Sequence, residues 1–165
     1  MSSPDLHSVL LDALDDERKA EATYEAVIAK YGPVRPFINI IEAEQRHAGA
    51  IERQLHRLGF PIPENNWNGK VEAPVSLAAA CELAVQAEIE NIALYDTLIP
   101  TISDPIVREV FQNLQAASRD NHLPAFRRCL VRDGAGGRSV DICAGGILVV
   151  GPGAHSPRTS LNRWR

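Results

Sequence analysis

The segment IIEAEQRHAGAI, residues 40–51, constrains the fold more than any other part of the sequence. Its apolar residues recur every three or four positions, as on the buried face of a helix, and Glu44 and His47 lie within that stripe. Because a buried carboxylate is destabilising unless something pairs with it, the pattern requires a partner for Glu44. Residues three apart share a helix face, so Glu44 and His47 can bind one metal ion or two adjacent ions. This spacing alone is a weak signal, and the prediction depends on matching residues in other helices.

The composition is that of an ordinary globular domain, with 165 residues, of which 45% are apolar and 23% are charged. A net charge of −4 gives no reason to expect nucleic acid or a membrane surface as a partner. The sequence has no CxxC motif, which excludes a zinc ribbon or a rubredoxin-type iron site, and we interpret Cys81 as a small buried apolar residue. The N-terminus does not resemble a signal peptide and no run of about 18 apolar residues occurs, so we expect a cytoplasmic protein.

Helical periodicity predicts an all-α fold of four helices, over residues 4–31, 36–58, 76–99 and 105–132. Ser76 and Asp104 are expected to cap the third and fourth helices, because their side chains can accept hydrogen bonds from the first backbone N–H groups. Pro124 should kink the fourth helix close to His122.

The link between the second and third helices is long, about 16 residues rich in Pro, Gly and Asn. At roughly 3.3 Å per residue it could span about 50 Å, the length of a bundle. A four-helix bundle with one such crossover is the ferritin-like arrangement. Trp67 is expected to pin the crossover to the bundle. We therefore predict a bundle domain over residues 1–133 and an irregular Gly-rich tail over residues 134–165, with a short strand possible in the tail and His155 not a ligand.

Each predicted helix has a polar interruption of its apolar stripe near its midpoint. The interrupting residues are Glu17, Glu44, His47, Glu88 and His122. Midpoints of antiparallel helices lie at one level, so three carboxylates and two imidazoles should meet in the middle of the core. Such a cluster would be very destabilising unless its members were paired. Glu and His are ligands suited to iron or manganese.

Two tyrosines repeat this geometry, because Tyr24 follows Glu17, and Tyr95 follows Glu88, by seven residues or two helical turns. Each hydroxyl could therefore donate a hydrogen bond to a metal-binding carboxylate of a neighbouring helix. The alternative is that both tyrosines pack only as core aromatics.

The patterns Glu17-x-x-Ala20-x-x-x-Tyr24, Glu44-x-x-His47 and Glu88-x6-Tyr95 resemble those of the ferritin-like di-iron carboxylate proteins, such as bacterioferritin and rubrerythrin. The resemblance covers residues 4–132 and is greatest to an uncharacterised bacterial branch of that superfamily. It implies that the five interrupting residues bind one or two iron ions, with manganese possible. It also implies an oxidoreductase that reacts with oxygen or peroxide, and a homodimer is a candidate assembly for such a bundle. The alternative is a non-enzymatic helical bundle that binds metal or a partner through a degenerate site.

The fourth helix departs from the family pattern, which places a carboxylate three or four residues before the histidine. Those positions hold Arg119 and Ser118. Glu21 or Asp120 could replace the missing ligand; otherwise the second metal position is weak or absent, or Arg119 supplies a positive charge there. Rubrerythrin proper is excluded by the missing cysteine motif, and a storage cage is not expected because no fifth helix is visible.

Overall fold

A computed structural model describes residues 5–135, a range that contains helices and no strand. The helices are α1 (Leu6–Tyr31), α2 (Phe37–Arg57), α3 (Leu77–Leu98), α4 (Pro105–Ala117) and α5 (Leu123–Ala135). A π-helical turn, Ser118–His122, joins α4 to α5 with helical backbone angles at both junctions, so these elements form the fourth rod of an all-helical bundle. The predicted helix ends lie within about three residues of these bounds. The predicted tail was to begin at residue 134, but α5 continues to Ala135. The rest of the Gly-rich tail, including the predicted strand and His155, lies outside the described residues.

The helix ends follow from local side-chain chemistry, as the sequence predicted. The hydroxyl of Ser76 accepts a hydrogen bond from the N–H of Ala79 at 3.1 Å. Asp104 accepts hydrogen bonds from the N–H groups of Ile106 and Val107 at 2.9 and 3.0 Å. These bonds satisfy backbone donors that have no partner within the first turn of a helix.

The helices pack as two pairs, α1 with α2 and α3 with α5. A short link joins α1 to α2, so these helices run in opposite directions. Tyr24 contacts Glu88 and Glu17 contacts Tyr95, so α1 and α3 also run in opposite directions. One apolar cluster includes Leu10 and Phe111, and the other includes Phe37 and Phe126. Along each rod, the polar interruption lies between residues of one apolar cluster and residues of the other.

The segment between α2 and α3 is fixed to the bundle by Trp67, as predicted. Its indole N–H donates a hydrogen bond to Asp15 at 2.8 Å, and the ammonium group of Lys19 lies 5.7 Å from the centre of its ring. Within the described part of the chain, no helix is long and apolar enough to cross a membrane.

Cys81 is buried, as predicted, but it also forms a disulfide with Cys129, which the sequence analysis did not predict. Both residues are fully buried, and their Cα atoms are 5.8 Å apart. The two cysteines are separated by 48 positions in the sequence and come together only because α3 packs against α5. The bond therefore joins the third rod to the fourth.

The irregularity predicted from Pro124 takes the form of the π-helical turn that precedes it. A proline has no N–H to donate to the carbonyl four residues earlier, here that of Asp120. A π-helical turn carries one extra residue per hydrogen-bonded loop, and such turns are frequent at functional sites. This one ends at His122, so it sets the direction in which that imidazole projects.

Candidate metal centre

The structure brings the five polar interruptions together in the bundle interior, between the two apolar clusters. Their exposed fractions range from 1% for Glu17 to 9% for His47. They form two groups, Glu17 with Glu44 and His47, and Glu44 with Glu88 and His122. Within each group the candidate ligand atoms all lie within 4.8 Å of one another. Glu44 belongs to both groups, so the cluster is continuous across all four rods.

In the first group the Nδ1 atom of His47 lies 3.1 Å from Glu17 and 3.1 Å from Glu44. Burial lowers the pKa of His47, but the hydrogen bonds to the two carboxylates outweigh it and raise the pKa to about 9. Burial raises the pKa of Glu17 above its usual value. A carboxylate and an imidazole are thus held in contact, away from water.

In the second group the Nδ1 atom of His122 lies 3.1 Å from Glu44 and 3.5 Å from Glu88. Burial lowers the pKa of His122, but the two carboxylates raise it to about 10. Burial also raises the pKa of Glu44, yet the imidazoles of His122 and His47 bring it below its usual value. The Nδ1 atom of His122 is buried and, among the described residues, has no partner in hydrogen-bonding geometry. The two carboxylates therefore contact this nitrogen as ion-pair partners, without a hydrogen bond of standard geometry.

Two tyrosine hydroxyls hold the outer carboxylates, as the seven-residue spacing predicted. Tyr95 donates to Glu17 at 2.6 Å and Tyr24 donates to Glu88 at 2.9 Å. Burial raises the pKa of each tyrosine well above its usual value, so both hydroxyls keep the proton that they donate. The tyrosines are therefore part of the polar cluster as well as of the apolar core.

Sequence reasoning missed Asn91, which lies three residues after Glu88 on the same helix. Its amide nitrogen donates to Asp16 at 2.8 Å and to Glu17 at 3.3 Å. Its position three residues after Glu88 could have indicated a place beside the cluster, because residues three apart on a helix share a face. Asn91 links the buried cluster to Asp16, a half-buried residue nearer the surface.

None of the proposed replacements for the missing carboxylate reaches the cluster. The side chain of Arg119 is 54% exposed and binds the equally exposed Asp120 at 2.9 Å. Arg119 therefore supplies no positive charge to the site. Glu21 is half-buried, and among the described residues it belongs to neither metal-ligand group. Ser118 is buried and occupies one of the two positions where a carboxylate was expected.

The buried Arg18 is engaged away from the cluster. Its guanidinium donates to Glu52 at 2.8 Å and to the carbonyl of Pro63 at 2.9 Å. This arginine therefore anchors the segment after α2 to the first helix pair.

The comparisons with known proteins identify a similar fold and no family. The chain is similar to the crystal structure of a hypothetical protein, MJ0754, from Methanococcus jannaschii DSM 2661, with a TM-score of 0.70. The two share 24% sequence identity over 81% of this chain and 87% of that one. No protein-family model matches the sequence, and no curated protein matches it.

Proposed function

We propose that the buried cluster binds one or two iron ions, or manganese, and that the protein is an oxidoreductase reacting with oxygen or peroxide. The observation that carries the proposal is the convergence of three carboxylates and two imidazoles around Glu44, each less than a tenth exposed. Buried carboxylates are stable only when paired, hydrogen-bonded or bound to a metal. The ligands would be the five residues that interrupt the apolar stripes.

The donor atoms fit such an ion. Carboxylate oxygens and imidazole nitrogens together suit iron and manganese, whereas a soft-metal site would use thiolates. Glu44 places Oε2 beside His47 and Oε1 beside His122, so it could serve two ions at once. The Nδ1 atom of His122 makes no hydrogen bond of standard geometry within the described residues, and it could bind a cation.

We also infer that the bundle is ferritin-like, with a crossover between α2 and α3. Helix α1 runs opposite to both α2 and α3, so α2 and α3 run in the same direction. Parallel α2 and α3 support a crossover, over residues 58–76, between opposite ends of the bundle, as in the ferritin-like arrangement. The similarity to MJ0754 supports the fold and carries no information on activity.

A bound reduced ion would supply the electrons that oxygen or peroxide accepts. The protein's own residues would bind and orient that ion. Tyr24 and Tyr95 fix one oxygen each of Glu88 and Glu17, which limits the motion of those carboxylates. Burial of the cluster keeps bulk water from competing for the ligands.

One observation favours a second candidate function, a bundle that binds metal without redox turnover. Each of the two groups holds three protein ligands only by sharing Glu44, and Ser118 stands where a further carboxylate was expected. A site with fewer carboxylates could hold a single ion, which would not support chemistry that needs a pair.

The test is to load the full-length protein anaerobically with ferrous iron, measure iron per chain, and then follow oxidation by oxygen and by hydrogen peroxide. Glu44→Gln should abolish binding, whereas Glu42→Gln should leave it unchanged because Glu42 is exposed on the same helix. Binding with turnover supports the oxidoreductase, and binding without turnover supports the second candidate. If neither iron nor manganese binds, both are wrong.

A further inference from the structure

The five residues of the polar cluster are each less than a tenth exposed, so a cation in bulk water has no direct access to them. A cavity of about 190 Å³ between α1 and α3 provides a path. Its lining includes the exposed Lys19 and Glu90 as well as the buried carboxylates of Glu44 and Glu88. The cavity therefore extends from the protein surface to the cluster. A second cavity, beside Trp67, is lined by none of the five cluster residues.

Side chains that carry oxygen atoms occur at every depth of this cavity. In order of increasing burial they include the exposed Glu90, the half-buried Asp16 and Thr23, and the buried Glu88 and Glu44. Carboxylate and hydroxyl oxygens are suitable ligands for hard divalent cations such as Mn²⁺. An ion that moves inward would therefore meet oxygen atoms along the whole path.

The charge of the lining favours a cation over an anion or a neutral molecule. Four of the lining residues are carboxylates, and one, Lys19, is a cation. A cleft lined mainly by one sign of charge raises the local concentration and the association rate of ions of the opposite sign.

Small side chains keep the cavity open between the two helices. Ala20, Ala84 and Ala87 contribute only methyl groups to the walls. The buried Ser118 also lines the cavity, and its short side chain leaves space where a carboxylate was expected. About 10–15 Å³ is enough to hold one water molecule, so the cavity has room for an ion with part of its hydration shell.

We propose that the cavity between α1 and α3 is the passage through which a divalent cation enters and leaves the polar cluster, with Glu90 attracting it at the outer end. The inference rests on the proposed function, since the cluster must bind such an ion. A passage lowers the barrier to movement in both directions. It therefore controls the rates of binding and release and leaves the equilibrium affinity unchanged.

The experiment measures Mn²⁺ uptake by the metal-free, full-length protein in a stopped-flow instrument with a manganese-sensitive dye. Release is measured after addition of excess EDTA, and affinity is measured separately at equilibrium. Ala87→Leu narrows the cavity at a half-buried wall position. It should slow both uptake and release by about tenfold, because neighbouring packed atoms must then move aside for the ion to pass. The affinity should not change.

Two control variants separate the narrowing of the cavity from a general effect on the fold. Ala87→Ser changes the same residue but keeps the side chain small, and Ala93→Leu makes the larger change on an exposed part of α3. Both should bind and release Mn²⁺ at the rates of the unaltered protein. Circular dichroism verifies that all three variants fold.

A second set of variants tests whether charge at the outer end attracts the ion. At low ionic strength, Glu90→Gln should slow uptake by about twofold to threefold and Lys19→Gln should accelerate it by a similar factor. High salt should remove both differences. Glu82→Gln, an exposed position on the same helix that is not part of the lining, should have no effect.

Slower uptake and slower release in Ala87→Leu at unchanged affinity, with opposite charge effects at Glu90 and Lys19, support the proposal. Unchanged rates in Ala87→Leu, an equal effect in Ala93→Leu, or uptake that is insensitive to both charges would overturn it. In those cases Mn²⁺ still binds at equilibrium, so the proposed function stands and only the passage is wrong. If neither iron nor manganese binds at equilibrium, both proposals are wrong, so the two failures are distinguishable.

Discussion

Tyr95 on α3 donates a 2.6 Å hydrogen bond to Glu17 on α1, and both side chains are at most 1% exposed. Tyr95→Phe removes the hydroxyl and leaves the rest of the ring in place. Since residues that orient metal ligands typically contribute a factor of about ten to a hundred to affinity, we expect iron or manganese affinity to fall by about tenfold or more. The measurement is a competition titration of the metal-free protein.

Tyr31→Phe is the matched control for this change, because its hydroxyl donates to the carbonyl of Pro74, a contact that involves no residue of the cluster. It should leave metal affinity unchanged. An equal loss in both variants would mean that the tyrosine affects only general stability.

The outer carboxylates of the two metal-ligand groups should respond differently from the shared Glu44. Glu17 belongs to one group and Glu88 to the other. Glu17→Gln and Glu88→Gln should therefore each reduce the amount of bound metal without abolishing it, unlike a change at the shared Glu44. Metal analysis of the purified variants tests this. Complete loss in either single variant would show that the cluster binds as one unit.

Arg119→Ala should have no measurable effect on metal content or affinity. Its side chain is directed to solvent and pairs with Asp120, so it neither fills nor charges the cluster. Elemental analysis of the variant beside the unaltered protein tests the prediction. Any increase in bound metal would place the arginine in the site and contradict the structure.

Reduction of the Cys81–Cys129 disulfide should destabilise the fold by about 2 to 4 kcal/mol, the usual effect of a cross-link that closes a loop of this order. Urea unfolding with and without a thiol reductant measures the difference. A Cys81→Ala/Cys129→Ala variant should be insensitive to reductant. Thiol titration of the denatured, unreduced protein should leave at least two of the three cysteines unreactive; reaction of all three would contradict the bond.

Asp104 should stabilise the bundle through its cap, so Asp104→Ala should lower the free energy of unfolding by about 1 kcal/mol. Asp104→Asn, which can keep the cap but not the charge opposite Arg57, should have a smaller effect. The N–H of Val107 and the Arg57 guanidinium lower the pKa of Asp104 in the folded protein. The contribution of its charge is therefore complete above the unfolded pKa, and is lost as the pH falls through the folded value.

Unfolding measured from pH 7 down to pH 2 checks this sign. The stability difference between the unaltered protein and Asp104→Asn should shrink below about pH 4, the ordinary range of an aspartate. A difference that grew on acidification would mean that the carboxylate is destabilised in the folded state.

The helices, their caps and the meeting of the polar residues were predictable because each depends on spacing within one helix. Glu17, Glu44 and Glu88 each interrupt an apolar stripe near the middle of a helix, and packing the stripes together brings them to one level. The tyrosine hydrogen bonds followed from the same periodicity.

The disulfide and the cavity were not predictable because both depend on how separate helices face each other. Cys81 and Cys129 carry no local pattern that indicates pairing. The cavity between α1 and α3 depends on small residues that meet there, among them Ala20, Ala84 and Ala87. Pro124 indicated an irregularity near His122, but not that it would be a π-helical turn.

The division of the cluster between the two helix pairs has a consequence for the order of folding. Glu17, Glu44 and His47 belong to the α1–α2 hairpin, whereas Glu88 and His122 belong to the other half of the chain. Each hairpin can form from contacts close in sequence, which is the faster process. The cluster is complete only after the halves dock, and docking brings like-charged carboxylates together. A cation that neutralises them would therefore act as an assembly factor, and its arrival would report the last step of folding.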